Sequence, residues 1–391
     1  MSVLNVDYFN DAKFSMKSIL FNSRIWIALV VMVAVDLLFQ LGAYKRFASR
    51  DSHSGTTMRT LSALNLAGRD QIDTVTIGSS VAVYGLDHAR IAEAASAQGH
   101  QHASLALPGS ALLTFRQWAQ WLPKNTTKVR GGLMVLAPGD FQTLGNGSYE
   151  LAIVAPMKSL ADGLWWQEHV PFDRANLETY GLFSGLALFR NDLQQLMANP
   201  LKRRGELRWW REHLRQSDYL STQTAFDGNL CGIDLSSSDA CLAAKKPEMM
   251  PEAEFQAVQQ TCQMLKAQSL NVADWTNPAN VPAETRRVQS LRRDLISELG
   301  WQDHAVVLVL PMHPMWESTR VKGAATLMAE IYQPLVATGS VRFLNYQNIF
   351  EEAGVPPCEA FHDMYHLNRL GQKIVTDKLL PELAWLWVPS N

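Results

Sequence analysis

The stretch that decides the fold reads Asp73-Thr74-Val75-Thr76-Ile77-Gly78-Ser79-Ser80. Its β-branched and apolar residues predict a buried strand over 74–77, and Gly78 allows the sharp turn that follows it. The two serines would then stand at the carboxyl end of a parallel strand, where open α/β sheets bind their ligands. The simpler alternative is a polar strand-to-helix loop in which Ser79 or Ser80 only caps the next helix.

A second polar cluster lies near the other end of the chain, in the run Phe361-His362-Asp363-Met364-Tyr365-His366-Leu367-Asn368-Arg369-Leu370-Gly371. A carboxylate three residues before a histidine can accept a hydrogen bond from its ring and stabilise the imidazolium during proton transfer. Ser80, His366 and Asp363 thus have the residue types of a nucleophile, a general base and an orienting acid. We predict that the fold brings these two distant segments together.

The two motifs, in this order, resemble those of the SGNH (GDSL-type) hydrolase superfamily. Gly78-Ser79-Ser80 matches the Gly-Asp-Ser block with Ser80 in the place of the nucleophile, and Asp363 and His366 match the final block. The resemblance runs from about residue 72 to residue 383, around a long unmatched middle. It implies an SGNH-like (flavodoxin-like) α/β fold, and the alternation of predicted strands and helices independently favours a mainly parallel sheet with helices on both faces.

The resemblance also implies which groups would stabilise an oxyanion. Its second block matches Gly109, whose backbone N–H would act with that of Ser80, although a plain turn between strand and helix is the alternative. The third block usually supplies an asparagine, but this chain has Pro138-Gly139-Asp140 there, so the nearby Asn146 is a possible substitute. An ionised Asp140 would repel an oxyanion, and we predict that it orients substrate or braces a loop.

Two more residues are predicted on the substrate side of the site. Ser79 precedes the nucleophile, and His313 follows the apolar run 304–310, so both would stand at the carboxyl edge of the sheet. His313 is a weaker base candidate than His366 because no carboxylate has the matching spacing, and a structural loop histidine is the equal alternative. No cofactor is predicted, and no set of Cys and His residues has the spacing of a zinc site.

Residues 25–44 are an apolar run long enough to cross a bilayer as a helix, with Trp26 and Tyr44 near its ends. Flanking charges disfavour a buried core helix, and the lack of a clear small-x-small cleavage site disfavours a signal peptide. We predict cytoplasmic residues 1–23 and an uncleaved single-span anchor over residues 24–45 in the inner (cytoplasmic) membrane. The numbers of positive charges on the two sides of the span are nearly equal, so they do not determine its orientation. The cysteines and the resemblance favour a periplasmic (extracytoplasmic) catalytic domain.

Asp36 and Gln40 lie one helical turn apart inside this predicted span. A carboxyl group at bilayer depth is costly, and it usually faces a protein partner or a polar cavity. We predict that this face contacts a membrane partner, which the resemblance implies is a multi-span acyltransferase. A protonated Asp36 that is tolerated near the interface is the alternative.

Composition and periodicity predict the remaining organisation. A polar juxtamembrane linker is predicted over residues 46–70, with a short amphipathic helix over residues 58–66. A domain follows over residues 71–391, with a helical insertion at about 150–300, and the resemblance implies that this domain is SGNH-like. Helices within and after the insertion are predicted over residues 171–198, 207–215, 252–270, 283–299 and 322–338. The net charge of −2 and the lack of a basic stripe with interleaved aromatics argue against nucleic acid as a partner.

The four cysteines allow three disulfide connectivities. Joining Cys231 to Cys241 would close a small loop around three serines, and Cys262 could then pair with Cys358. A basic aromatic patch around Trp209 has two interpretations: a solvated face, which we favour, or a contact with lipid headgroups or an anionic polymer.

The sequence therefore predicts a membrane-anchored serine O-acyltransferase that acts on a cell-surface polysaccharide or polymer through an acyl-serine intermediate. With its single span, Gly-Ser-Ser variant and large insertion, the chain looks similar to the proteins of alginate acetylation and teichoic-acid D-alanylation. Two alternatives remain: a tethered carbohydrate esterase or deacetylase, and a non-catalytic scaffold subunit of a polysaccharide secretion system.

Overall fold

A computed structural model describes residues 23–46, 48–49, 52–137, 147–169, 180–181, 183–213, 225–268, 273–301, 304–316 and 321–387. The cytoplasmic segment predicted over residues 1–23 lies almost entirely outside these ranges. Two of the predicted site residues, Asp140 and Asn146, also lie outside these ranges.

One parallel sheet forms the centre of the part that the structure describes. Its strands are β1 Thr74–Ile77, β2 His102–Ser104, β3 Gly131–Leu136, β5 Ala305–Val309 and β7 Val341–Asn345. They lie in the order β2-β1-β3-β5-β7, and β4 Ala273–Asp274 pairs with β6 Val321–Lys322 in a separate small parallel sheet. The α/β class with a parallel sheet, predicted from the alternation of elements, is confirmed.

Seventeen helices are named here among the described residues. Before and within the first half of the sheet they are α1 Ser23–Gln40, α2 His53–Ala67, α3 Ser80–Gly85, α4 His88–Ala97, α5 Leu112–Asn125, α6 Gly147–Val154 and α7 Leu160–His169. Those of the insertion are α8 Gly185–Leu188, α9 Arg190–Ala198, α10 Pro200–His213, α11 Ser238–Ala243, α12 Glu252–Gln268 and α13 Ala283–Glu298. The last four are α14 Ala324–Ala337, α15 Ile349–Glu352, α16 Pro357–Ala360 and α17 Arg369–Leu383.

The core lies on both faces of the sheet, as expected for parallel strands that read as continuous apolar runs. Along β3, Leu133 and Val135 pack into one apolar cluster with α4, α12 and α17, whereas Met134 and Leu136 pack into the other with α5, α13 and α14. This alternation follows from the two-residue period of a strand. Gly132 is required inside β3, because a Cβ there would lie 2.5 Å from the Val75 carbonyl oxygen.

Helix α1 is long and apolar enough to cross a membrane, and its side chains are almost all exposed. Its one buried residue is Phe39, at the carboxyl end. An exposed apolar helix of this length is unfavourable in water, so this feature is compatible with the single-span anchor predicted from the sequence.

The segment after α1 differs from the polar linker predicted over residues 46–70. Residues 53–67 form the longer helix α2, and its Ala63 and Leu64 are buried in the main core. The hydroxyls of Ser54 and Thr57 donate to backbone carbonyls of α6. Small and hydroxylated side chains let α2 approach α6 closely, and composition alone does not reveal such a contact.

The insertion also departs from the predicted helices in two places. Within the predicted helix 171–198, Ser184 is not helical but caps α8 by accepting a hydrogen bond from the Ala187 N–H, and Phe189 separates α8 from α9. Helix α10 begins at Pro200 rather than at residue 207, since proline is well suited to the first helical position. Helices α12, α13 and α14 lie within two residues of the predicted bounds.

The disulfide pairing considered from the sequence is wrong. Cys231 bonds Cys358 with a Cα–Cα separation of 4.8 Å, and Cys241 bonds Cys262 at 6.2 Å. The second bridge joins α11 to α12, which pack against each other, and the first joins the insertion to the segment before α17. Proximity in sequence suggested a small loop, but the packing of the insertion onto the sheet domain decides the partners.

Candidate active site

The structure brings Ser80, His366 and Asp363 into one hydrogen-bonded chain. His366 Nε2 lies 2.9 Å from Ser80 Oγ, and His366 Nδ1 lies 2.8 Å from Asp363 Oδ2. Ser80 begins α3 directly after the β1 turn, whereas the other two residues come from the loop between α16 and α17. This is the geometry of a nucleophile, a base and an orienting carboxylate.

A compact loop fixes the relative positions of Asp363 and His366. Asp363 Oδ1 accepts hydrogen bonds from the N–H groups of Tyr365 and His366, both at 2.7 Å, so the carboxylate folds its own backbone into a turn. The His362 N–H donates to the His366 carbonyl at 2.9 Å and closes the base of the loop. Asn368 then caps α17 by accepting from two of its N–H groups.

The same contacts determine the protonation of Asp363. Burial would raise the pKa of this carboxyl, but hydrogen bonds from His366 and from two backbone N–H groups outweigh it and hold the pKa below its ordinary value. Asp363 is therefore an ionised acceptor at neutral pH. Its hydrogen bond to Nδ1 requires the proton there, which leaves Nε2 free to accept the proton of Ser80.

The turn before Ser80 depends on Gly78 and Ser79. A Cβ at Gly78 would meet the Ala82 Cβ at 2.5 Å, so α3 can start this close to the strand only after glycine. Ser79 is buried, and its carbonyl accepts from the Ala82 and Val83 N–H groups at the start of α3. Its side chain makes no cap hydrogen bond, so a Ser79 side-chain cap does not explain this turn.

Gly109 lies in a turn next to the turn that carries Ser80. The Leu107 N–H donates to the Gly78 carbonyl at 3.0 Å, which joins the exit of β2 to the exit of β1. Gly109 has a φ of 81°, a conformation that favours glycine. Ser110 closes this turn by donating from its N–H and its hydroxyl to the Leu107 carbonyl.

Glu150 supports the start of α5, directly after the Gly109 turn, although nothing in the sequence pointed to it. This buried α6 residue accepts hydrogen bonds from the N–H groups of Ala111, Leu113 and Thr114 and from the Thr114 hydroxyl. Its carboxylate thus caps α5, whose own N-cap residue, Ala111, has no acceptor on its side chain. Burial raises the pKa of Glu150 to about 7, despite these four hydrogen bonds.

Aromatic rings cover one side of His366. Tyr84 lies edge-on with its centroid 5.3 Å from the imidazole, and Phe226 packs against Tyr84 at 4.3 Å and stacks on His362 at 4.1 Å. Tyr84 could have been found from its position, one helical turn after Ser80. Phe226 comes from the insertion, and no local pattern indicates its contact with the loop that carries Asp363 and His366.

The insertion also holds the loop that carries Asp363 and His366, through hydrogen bonds of its backbone. The Arg369 N–H donates to the Phe226 carbonyl, and Asn368 Nδ2 donates to the Gly228 carbonyl at 2.8 Å. The Cys231–Cys358 bridge lies next to these contacts. The helical insertion is therefore part of the support of the candidate site.

His313 lies beside the loop that carries Asp363 and His366. In the described part of the chain it is not hydrogen-bonded to Ser80, His366 or Asp363. Its N–H donates to the Met364 carbonyl, its Nδ1 accepts from the Met315 N–H, and its ring packs edge-on to Phe361. Burial lowers the pKa of His313 to about 4, so the ring is neutral. These contacts indicate a brace for the loop.

Asp36 and Gln40 contact this chain's own insertion. Asp36 Oδ1 accepts from the Ser184 hydroxyl at 2.7 Å and from the Leu186 N–H at 2.9 Å, and Gln40 Nε2 donates to the Phe183 carbonyl at 2.5 Å. Their polar groups thus have partners without a second membrane protein.

Among the residues that the structure describes, no cluster of three or more His, Cys, Asp or Glu residues could hold a metal ion.

No known family model matches this sequence, and a comparison with curated proteins gives no match. The fold and the site therefore define only a class. The described part of the chain is a parallel α/β domain with a Ser-His-Asp chain at the carboxyl edge of its sheet, attached to a helix that could cross a membrane.

Proposed function

We propose that this protein is a membrane-anchored serine O-acyltransferase of SGNH type, with its domain on the extracytoplasmic (periplasmic) side of the inner membrane. Its acceptor would be a hydroxyl group of a cell-surface polysaccharide or polymer. The observation that carries the proposal is the hydrogen-bonded chain from Ser80 Oγ through the His366 ring to the Asp363 carboxylate. Such a chain lets a weak hydroxyl act as a nucleophile.

The first half-reaction would transfer the acyl group to the enzyme. Ser80 Oγ attacks the carbonyl carbon of the donor while His366 Nε2 takes the serine proton. The imidazolium is stabilised by the ionised Asp363. When the tetrahedral intermediate collapses, the bond to the leaving group breaks and His366 protonates that group, which leaves an acyl ester on Ser80.

The second half-reaction would regenerate the serine. A hydroxyl of the acceptor gives its proton to His366 Nε2 and attacks the acyl carbonyl carbon. When this second tetrahedral intermediate collapses, the bond between the acyl carbon and Ser80 Oγ breaks, Ser80 Oγ takes the proton back from His366, and the new ester leaves. The N–H groups of Ser80 and Gly109 would bind the oxyanion in both half-reactions. With water as the acceptor, the same steps release a free acid, which is the esterase alternative.

The apolar helix α1 supports a donor that reaches the protein at the membrane. A multi-span membrane acyltransferase would supply such a donor, as the resemblance implies. Because Asp36 and Gln40 already bond residues of the insertion, this partner would contact the exposed apolar surface of α1. Helix association in membranes does not require a buried charge, since close packing of apolar surfaces is sufficient.

The test is to incubate the full-length protein in detergent with an activated acetyl ester and to locate the adduct by mass spectrometry. We expect the adduct on Ser80, none in Ser80→Ala or His366→Ala, and a greatly reduced amount in Asp363→Asn, because triad members act as a unit. Ser79→Ala is the matched control, and it should retain a measurable fraction of the adduct.

An adduct on Ser79, or full acylation of Ser80→Ala, would contradict the assignment. The absence of any adduct would favour the scaffold alternative. A second measurement adds oligosaccharide acceptors: transfer to the sugar supports the acyltransferase, whereas release of acetate at an unchanged rate supports the esterase or deacetylase.

A further inference from the structure

A short segment of the insertion wraps the carboxyl end of α1. We name it the collar and define it as residues 180–181 and 183–189. Within it, Ser184 and Leu186 donate to Asp36, and the Phe183 carbonyl accepts from Gln40. A Cβ at Gly185 would lie 2.8 Å from the Phe39 Cβ, which shows how closely α8 approaches α1. The collar is therefore attached to the helix itself.

Aromatic packing and a second polar contact reinforce this attachment. Phe189 stacks on Tyr44 with centroids 3.8 Å apart and also contacts Phe39. Lys158, just beyond α6, donates to the Gly181 carbonyl at 2.9 Å. The collar thus joins the end of α1 to the main domain through contacts on both sides.

The length of α1 determines the depth of the collar in a bilayer. Its 18 residues span about 27 Å, close to the roughly 30 Å of a hydrocarbon core, so nearly the whole helix is needed to cross it. Asp36 lies four residues, about 6 Å, before the end of the helix. The part of the collar that bonds Asp36 is therefore in the outer part of the hydrocarbon core, next to the membrane interface and not above it.

The exposed side chains of the collar suit that level. Tyr180 is 56% exposed and Phe183 is 46% exposed, and aromatic rings are favoured at the membrane interface. The collar also satisfies the polar groups of Asp36 and Gln40, which would otherwise be costly at this depth. Both its apolar surface and its hydrogen bonds are thus explained by a lipid environment.

The helices that follow the collar carry positive charge at the same end of the molecule. Asp192 on α9 accepts from the Ser49 N–H, and Glu206 on α10 accepts from the Ser49 hydroxyl, just beyond α1. Among the described side chains of α10, the cationic groups of Lys202, Arg204 and Arg208 are exposed to solvent. Cationic side chains beside a membrane attract anionic lipid headgroups.

The same end of the molecule carries the candidate active site. The His53 side chain, at the start of α2, hydrogen-bonds the Pro108 carbonyl, next to Gly109. Helix α6 bonds the start of α5, directly after the Gly109 turn, through Glu150, and it also bonds α2. The chain just beyond α6 makes the collar contact at Lys158. The carboxyl edge of the sheet is therefore on the side of the collar, and the amino edge is on the opposite side.

From these contacts we propose that the collar lies at the boundary between the acyl chains and the headgroups of the bilayer that holds α1, and that the carboxyl edge of the sheet, with Ser80, faces that bilayer. The occupant of the exposed aromatic surface is lipid. This orientation would let the site meet substrates delivered at the membrane surface, and it does not depend on which acyl group or acceptor is used.

Single-cysteine labelling of the full-length protein in vesicles tests the proposal. All four native cysteines are in disulfides, so one introduced cysteine can be labelled selectively without reductant. A fluorophore is placed in Phe183→Cys at the collar, in Arg369→Cys at the carboxyl edge, or in Ala337→Cys at the amino edge. Energy transfer to acceptor dyes on lipid headgroups then reports the distance of each label from the bilayer surface.

We expect transfer to be strongest from Phe183→Cys, intermediate from Arg369→Cys and weakest from Ala337→Cys. A nitroxide near the top of the acyl chains should quench only the collar label. The fluorescence of that label should also lie at a shorter wavelength in vesicles than in the unfolded protein without detergent. Tyr180→Cys repeats the collar measurement at a second exposed position, in case Phe183→Cys folds poorly. Any other order of the three distances, or an unquenched collar label at both positions, overturns the proposal.

Discussion

Replacing Glu150 is the sharpest test of how the fold supports the candidate site. The side chain is 1% exposed, and it accepts four hydrogen bonds from the first turn of α5. Three of these go to Oε1, from Ala111 and both groups of Thr114, and the fourth goes to Oε2 from the Leu113 N–H. Ala111 offers no acceptor of its own, so α5 depends on this carboxylate.

The two substitutions differ in how many of these bonds they remove. Glu150→Ala removes all four, and because each buried donor without an acceptor costs about 1–3 kcal/mol, with partial relief from water, we expect a loss of about 3–5 kcal/mol in the free energy of unfolding. Glu150→Gln keeps an oxygen at the position of Oε1 and loses only the Leu113 bond, which amounts to about 1 kcal/mol. Chemical denaturation of the full-length protein in detergent measures both values.

The control is Glu330→Ala, a surface residue paired with Arg286 at 3.2 Å. Exposed ion pairs of this kind contribute about 0–1 kcal/mol. If Glu150→Ala destabilises the protein no more than Glu330→Ala does, Glu150 does not cap α5. If Glu150→Gln is worse than Glu150→Ala, the assignment of three bonds to Oε1 is wrong.

Burial of Glu150 also predicts a pH dependence. Its pKa is about 7 in the folded protein against an ordinary value of 4.5, so the folded state retains a proton that the unfolded state releases. The free energy of unfolding of the wild type should therefore fall, relative to that of Glu150→Gln, as the pH rises from 4.5 to about 7. Denaturation curves of the two proteins across this range provide the measurement, and a constant difference would refute the shift.

Two further predictions concern covalent and steric constraints. Cys231→Ser with Cys358→Ser should lower the free energy of unfolding by about 5 kcal/mol, against about 3 kcal/mol for opening Cys241–Cys262, since loops of 127 and 21 residues are released. Only the first change should also slow acylation of Ser80; equal effects on acylation would contradict the role of the insertion. Gly371→Ala should destabilise the protein strongly, because its Cβ would collide with the Ala360 carbonyl. Gly205→Ala, in open space on α10, should instead stabilise the protein by about 1 kcal/mol. Thermal denaturation that ranks the two variants in the opposite order would refute the packing.

Local patterns were sufficient for the central strands of the main sheet and for the two motifs, but not for the short strands β4 and β6. The continuous apolar runs of β1, β3 and β5 predict buried parallel strands, since such runs bury their side chains on both faces of a sheet. The spacing of Asp363 and His366 predicts their contact, because three residues are enough for a turn closed by the carboxylate itself. Ser80 followed from its position after Gly78 at the end of a strand.

Apart from the contact between Ser80 and His366, the tertiary structure alone decided which distant groups meet. Glu150 caps a helix that begins about 40 residues earlier in the chain, Phe226 reaches His366 from the insertion, and Cys231 bonds Cys358 across 127 residues. Asp36 accepts a hydrogen bond from Ser184 of its own chain, a contact that its position in the apolar run does not reveal. Periodicity and turn chemistry act over a few residues and can be read from sequence, whereas these partners depend on how whole elements pack, which no local pattern records.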